Sequence, residues 1–219
     1  MKHFRNTLFI GSLIMLTACH AHLDNDQPML AKGYQWEVFH QSEFIGEEHP
    51  AVSETLSMQL AEDTTISGKT YKKLMVSRKG EPNLQLYALL REDIEQQKVY
   101  YWYKDEAVLL YDFGMKVGDK TKLYLNEFCS TRPIDYYLQL VEIRSKQDCQ
   151  KHTYREFVYD VYCKENGSYV KQCSHITMER YGSYSGIICN NTAMLDGGET
   201  YKLLAAYNEN HVLCWNVEE

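Results

Sequence analysis

The sequence predicts an all-β fold, an antiparallel meander forming a sandwich or an incomplete barrel. From Gly33 onward, β-branched and aromatic residues alternate with polar ones, and helical spacing is hard to find. Period two is the spacing of a half-buried strand, whose neighbouring side chains point to opposite faces. Short polar breaks, several holding glycine, divide these runs into lengths typical of strands.

The clearest stretch runs from Ile66 to Asp119. Thr64-Thr65-Ile66 and Thr70 to Val76 flank Ser67-Gly68, where a tight hairpin needs a backbone angle that glycine tolerates best. Strands follow at Leu86 to Arg91, Lys98 to Lys104 and Val108 to Phe113, with breaks at Glu92 to Gln97 and Asp105-Glu106 and a close at Gly118-Asp119. Further strands are read at Lys122 to Leu125, Tyr136 to Ile143, Glu156 to Cys163, Tyr169 to Cys173, His175 to Glu179, Tyr201 to Tyr207 and His211 to Trp215. Only four prolines occur, and no Pro-rich or Gly/Ser-rich linker divides the chain, so residues 33–219 are read as one domain.

The N-terminus has the layout of a signal peptide. Lys2, His3 and Arg5 precede an uncharged run, residues 7–16, which is about half the ~20 residues a spanning helix needs. The run ends in Leu16-Thr17-Ala18-Cys19, which resembles the bacterial lipobox: an aliphatic residue, two small ones and the cysteine whose sulfur receives lipid. The expectation is therefore a leader at 1–18, a lipidated Cys19 with a polar tether to residue 32, and a body held at a membrane by several acyl chains. His20 rather than Asp after the anchor points to the outer membrane of the cell envelope, periplasmic or surface-facing. Asp24 and Asp26 give only a faint acidic export tag.

Charge narrows the partners. The leader holds two of the 23 basic residues and no acidic ones, leaving 21 against 30, a net charge of −9 with His neutral. Nucleic acid and anionic lipid surfaces, which are bound chiefly by clustered Lys and Arg, are disfavoured. Lys69, Lys72 and Lys73 are sparse and read as a solvated strand face.

Six cysteines follow the anchor: Cys129, Cys149, Cys163, Cys173, Cys189 and Cys214. An even count outside the reducing cytosol suggests disulfides, and spacing does not choose among the fifteen pairings. Cys163 and Cys173 bracket Asn166-Gly167, but a two-residue turn there would set Cys163 opposite Val170, so a bond between them needs a longer loop. No C-x-x-C or H-x-x-x-H spacing supports zinc, and no metal or cofactor is expected.

Several segments resemble the recurrent pattern of a family of uncharacterised exported proteins from Bacteroidetes. They are Gly68 to Leu74, Leu90-Arg91-Glu92-Asp93, Lys98-Val99-Tyr100, and Leu109 to Phe113 with Val117-Gly118-Asp119. Glu179 to Ile188 stands where the family's glycine-rich closing segment falls, with Arg180-Tyr181 in place of its usual Gly-Ile. The resemblance covers roughly residues 34 to 215. It implies an exported all-β protein and carries no established activity.

No catalytic motif is present. Gly182-Ser183-Tyr184-Ser185-Gly186 has Tyr184 where a nucleophile elbow needs serine and reads as a tight turn. Asp112 and Asp119 are read as a hydrogen-bond acceptor and a turn-shaping residue, and Arg91, Glu92 and Asp93 as a solvated loop edge or a ligand-facing cluster. Cys173-Ser174-His175 places neighbours on opposite faces of a strand. The feature that leans toward binding is aromatic: 18 tyrosines and three tryptophans, with Tyr100-Tyr101-Trp102-Tyr103 carrying rings on both faces of one strand. Tyr100 and Trp102 are the candidate ligand residues, since flat exposed rings stack on sugars and anchor protein interfaces. The alternative is that cross-strand rings simply stabilise the sheet.

Two functions follow from these features. One is a non-catalytic envelope module binding a glycan or an envelope protein. The other is an extracytoplasmic hydrolase, glycan- or peptide-directed, using carboxylates or histidine. The first predicts an exposed patch containing Tyr100 or Trp102, and the second a concave site where titratable groups meet.

Overall fold

The computed structural model describes residues 28–42, 52–124, 135–188 and 199–216. Cys19, Cys129 and Cys189 lie outside them. Every regular element described is a strand, and all strand pairs are antiparallel.

The larger sheet has eight strands: β1 (Gln35–Ser42), β2 (Val52–Ile66), β3 (Lys69–Arg78), β4 (Gln85–Asp93), β5 (Lys98–Tyr103), β6 (Glu106–Asp112), β12 (Glu199–Tyr207) and β13 (Leu213–Asn216). Their order is β13-β12-β1-β2-β3-β4-β5-β6. The smaller sheet contains β7 (Lys120–Thr121), β8 (Tyr136–Gln147), β9 (Thr153–Glu165), β10 (Ser168–Met178) and β11 (Gly182–Ser183), in the order β11-β10-β9-β8-β7. Neither sheet closes on itself as a barrel, so the fold is an all-β sandwich. The meander holds within each sheet and breaks once, where β12 returns to pair with β1.

Tight turns set the registers. Ser67 and Gly68 have φ of 49° and 74°, and Asn166 and Gly167 have 48° and 85°. Positive φ at both central residues is the type I′ signature, whose twist matches that of the flanking strands. The first turn pairs Ile66 with Lys69, and the second pairs Glu165 with Ser168. Lys104 and Asp105 make the same kind of turn at φ of 47° and 64° without a glycine.

The second turn also disposes of one expected disulfide. Cys163 faces Val170 while Cys173 faces Val161, with a bulge between Lys171 and Cys173. That offset exceeds the ~7 Å between Cα atoms that a disulfide spans. No disulfide joins any two of Cys149, Cys163, Cys173 and Cys214 in this structure.

The core fills the space between the sheets. Trp36, Val38, Met58, Leu74 and Leu90 of the larger sheet meet Leu138, Leu140, Phe157, Tyr159 and Val161 of the smaller, each fully buried. Phe113 packs on Phe157 with ring centres 5.4 Å apart, and the Tyr111 hydroxyl donates to the Ile187 carbonyl at 2.7 Å. Met29 and Leu30 are also buried, so the packed body begins ahead of Gly33. Both their amides donate to the Glu92 carboxylate at 2.9 Å. Burial nonetheless raises the Glu92 pKa, outweighing the two amides and the positive field of Lys72.

Candidate functional site

A polar pocket of about 220 Å³ opens where the turn at 31–34, the loop at 148–152, the chain at 180–181 and the turn at 208–210 converge. Its fixed point is Asp148, whose side chain is 2% exposed. One carboxylate oxygen accepts from the Gln150 and His152 amides, each at 2.8 Å. The other accepts from the Tyr181 hydroxyl at 2.7 Å and lies 3.4 Å from His152 Nδ1. Lys151, at φ 66°, turns the chain so that the Asp148 amide can reach the His152 carbonyl at 3.0 Å. Arg180, 5% exposed and at φ 77°, contributes a buried cation to the wall.

The protons in this pocket are held tightly. Burial, reinforced by the hydrogen bond to Asp148, drives the Tyr181 hydroxyl far above its ordinary pKa. Burial, then the Asp148 charge, raises the Cys214 thiol, and burial raises Tyr34. A catalytic thiol is poised in the opposite direction, toward the thiolate. Asp148 already accepts from two amides and a hydroxyl, which hold its carboxylate in a fixed orientation. The arrangement suits hydrogen bonding to a small polar group better than bond cleavage.

The second feature is the outer face of the larger sheet. Arg91 lies opposite Tyr100 across β4 and β5, and its guanidinium carbon sits 4.1 Å from the Tyr100 ring centre. Trp102, two residues along the same face, meets Tyr71 edge-on at 5.6 Å. Tyr71 is 1% exposed although it lies outside the core cluster, so this face carries a small hydrophobic cluster of its own. Tyr100 and Trp102 remain partly exposed. Arg91 Nε is buried without a hydrogen-bond partner, while its Nη1 lies 3.8 Å from Asp93. Lys98 and Asp112, 3.7 Å apart, flank the patch. Tyr101 and Tyr103 project to the opposite face, where they pack on Tyr124 at 5.1 and 5.3 Å.

The remaining candidates occupy structural roles. Asp112 accepts from the Gly114 amide at 3.1 Å, and Asp119 from the Lys116 amide at 2.8 Å beside Gly118 at φ 98°. Glu92 faces inward, away from Arg91 and Asp93, so the three do not converge. Ser183 and Gly186 close a two-residue turn through reciprocal backbone bonds of 3.0 and 2.9 Å, and the Tyr184 hydroxyl reaches Glu156 at 2.7 Å. His175 is buried while Ser174, exposed, lies 3.4 Å from Asp160. His40, which carries no motif, stacks on Tyr201 at 4.6 Å and meets Glu54 at 3.2 Å. Burial works against the Glu54 charge, yet its bonds to His40 and Arg78 win and hold its carboxyl below the ordinary range.

The pocket escaped the sequence reading because its members, Asp148, His152, Arg180 and Tyr181, come from separate loops with no shared spacing. The only local signal is Asp148 followed four residues on by His152, which is too common to single out. Among the described residues, no three His, Cys, Asp or Glu side chains converge as a metal site.

No family model, no curated protein and no solved structure matches the chain.

Proposed function

We propose that this chain is a lipid-anchored, extracytoplasmic module of the bacterial cell envelope that binds a glycan, without transforming it, on the face around Tyr100 and Trp102. The leader-and-lipobox pattern ending at Cys19 supports the anchor, and the outer membrane is the expected site. The resemblance to exported Bacteroidetes proteins supports the same compartment.

One observation carries the binding reading: two partly exposed rings share an outer sheet face with a cation stacked on one of them. Rings offer flat apolar area to the axial C–H face of a sugar, while Arg91, Asp93 and Lys98 supply donors and acceptors for its hydroxyls. Arg91 Nε, buried and unpaired, would gain an acceptor from a ligand that displaced the guanidinium slightly.

The hydrolase reading has its own observation, since Asp148, His152 and Tyr181 do meet in a concavity. It is weaker because the Tyr181 and Cys214 pKa values are raised.

Tyr100→Ala with Trp102→Ala is expected to weaken binding to the organism's own envelope polysaccharide at least tenfold, about 1.4 kcal/mol. Affinity electrophoresis in gels containing that polysaccharide reads this directly. Trp102 also covers Tyr71, so a melting curve of the variant must accompany it. Unchanged mobility of a folded double variant would remove the proposal, and glycan cleavage abolished by His152→Ala would favour the hydrolase.

A further inference from the structure

We propose that Cys149 and Cys214 form a disulfide that ties β13 to the loop forming one wall of the polar pocket. The inference rests on the extracytoplasmic reading for its oxidising surroundings, but its geometry is independent of that reading.

The Cys149 amide donates to the Cys214 carbonyl at 2.7 Å. Standard bond lengths place a Cα about 1.46 Å from its own nitrogen and about 2.4 Å from its own carbonyl oxygen, so the two Cα atoms cannot be more than about 6.6 Å apart. Disulfides span Cα separations of about 4.4–6.8 Å. The two backbones therefore come within the Cα range that a disulfide spans. The sulfurs have different partners: Cys149 Sγ lies 3.5 Å from Asn216 Oδ1, while Cys214 Sγ lies 3.3 Å from the Val212 carbonyl and accepts from Gln150 Nε2 at 3.7 Å. All three contacts are weak sulfur contacts, which the proposed covalent bond replaces once the two χ1 angles turn.

Exposure orders the chemistry. Cys149 is exposed and Cys214 is buried, with burial raising the Cys214 thiol. A disulfide donor, either a protein dithiol oxidase or oxidised glutathione, is attacked first by the Cys149 thiolate, and one donor sulfur leaves as a thiolate. Cys214, giving up its proton, then attacks the Cys149 sulfur of the mixed disulfide and displaces the second donor thiol. Two thiols of the protein lose two electrons and two protons, and one donor disulfide becomes two thiols. Cys163 and Cys173, set off along their ladder, have no such partner in each other. Because the bond spans a long loop, it restrains the unfolded chain strongly, and it fixes Asp148, one residue away, in its place.

The test uses the purified mature domain, fully reduced, then equilibrated in a glutathione buffer with excess oxidised form. Free thiols are alkylated and proteolytic peptides are read by mass spectrometry without reduction. The expected result is a dominant peptide linking Cys149 to Cys214. Cys149→Ser should abolish that peptide, and reductant should lower the Tm of the native sequence by about 10 °C while leaving the variant unchanged. Alkylation of both residues in the oxidised, folded domain would overturn the pairing, as would linkage of either to Cys129 or Cys189. The same mapping on protein extracted from cells separates the two ideas. A bond that forms in the glutathione buffer but is missing in cells supports the pairing and counts against the extracytoplasmic reading.

Discussion

Replacing Asp148 by alanine is expected to destabilise the domain by about 3 kcal/mol or more, lowering its Tm by roughly 6–12 °C. The carboxylate is 2% exposed and accepts from the Gln150 and His152 amides and the Tyr181 hydroxyl. Removing it leaves a hydroxyl on a residue 1% exposed with nothing to bond, and takes the acceptor from two amides of a part-buried loop. Each such orphan costs about 1–3 kcal/mol when water cannot replace the lost acceptor. Asp148→Asn separates shape from charge. Its amide oxygen can still accept from the two backbone amides, and its nitrogen can donate to the Tyr181 oxygen, so a loss of only about 1 kcal/mol is expected. Urea unfolding of both variants, followed by far-UV circular dichroism, gives the two values. Equal losses would mean that the loop does not depend on the bonds assigned to it.

Gly182→Ala should be as damaging for a different reason. Gly182 has φ +99°, and a Cβ there would sit 2.8 Å from Ile187 Cα and 2.9 Å from the Gly186 oxygen. Both are backbone atoms of the turn it closes, so no side-chain rotation relieves the clash. An unfavourable backbone angle and a displaced turn together should cost about 3–4 kcal/mol. Gly68→Ala is the control: φ is +74°, but nothing lies within 4 Å of the added Cβ. It pays only the conformational term, about 1 kcal/mol. Thermal melts of the pair measure the difference, and equal losses would show that crowding at Gly182 is not the cause.

Much of the architecture was legible because it is written locally. Ser67-Gly68 and Asn166-Gly167 specify type I′ turns, and those turns fix registers several residues away, including Cys163 opposite Val170. Where the chain departs from simple alternation, period two misplaces the strand boundaries. β10 reads as two strands split at Ser174 because the bulge between Lys171 and Cys173 shifts the pattern by one residue. Within β2, Leu56, Met58 and Leu60 alternate with Ser57 and Gln59, but Glu54 breaks the apolar side of that alternation, where it meets His40 and Arg78. The pairing of β12 with β1 joins segments some 160 residues apart, and no local signal reports it. The two faces of β5 were separable by period two, which placed Tyr100 and Trp102 together. What covers each ring was not, because Arg91 and Tyr71 belong to other strands. Asp148 and Tyr181 likewise meet only through the fold.

The claim on which the functional account depends is that a lipidated Cys19 is the first residue of the mature chain. Intact-mass spectrometry of protein extracted by detergent from cell membranes tests it directly. The account predicts a chain of 201 residues, the full 219 less the 18 ahead of Cys19, carrying the added mass of a diacylglyceryl group. A chain that keeps its leader, or one with an unmodified thiol at Cys19, would contradict it.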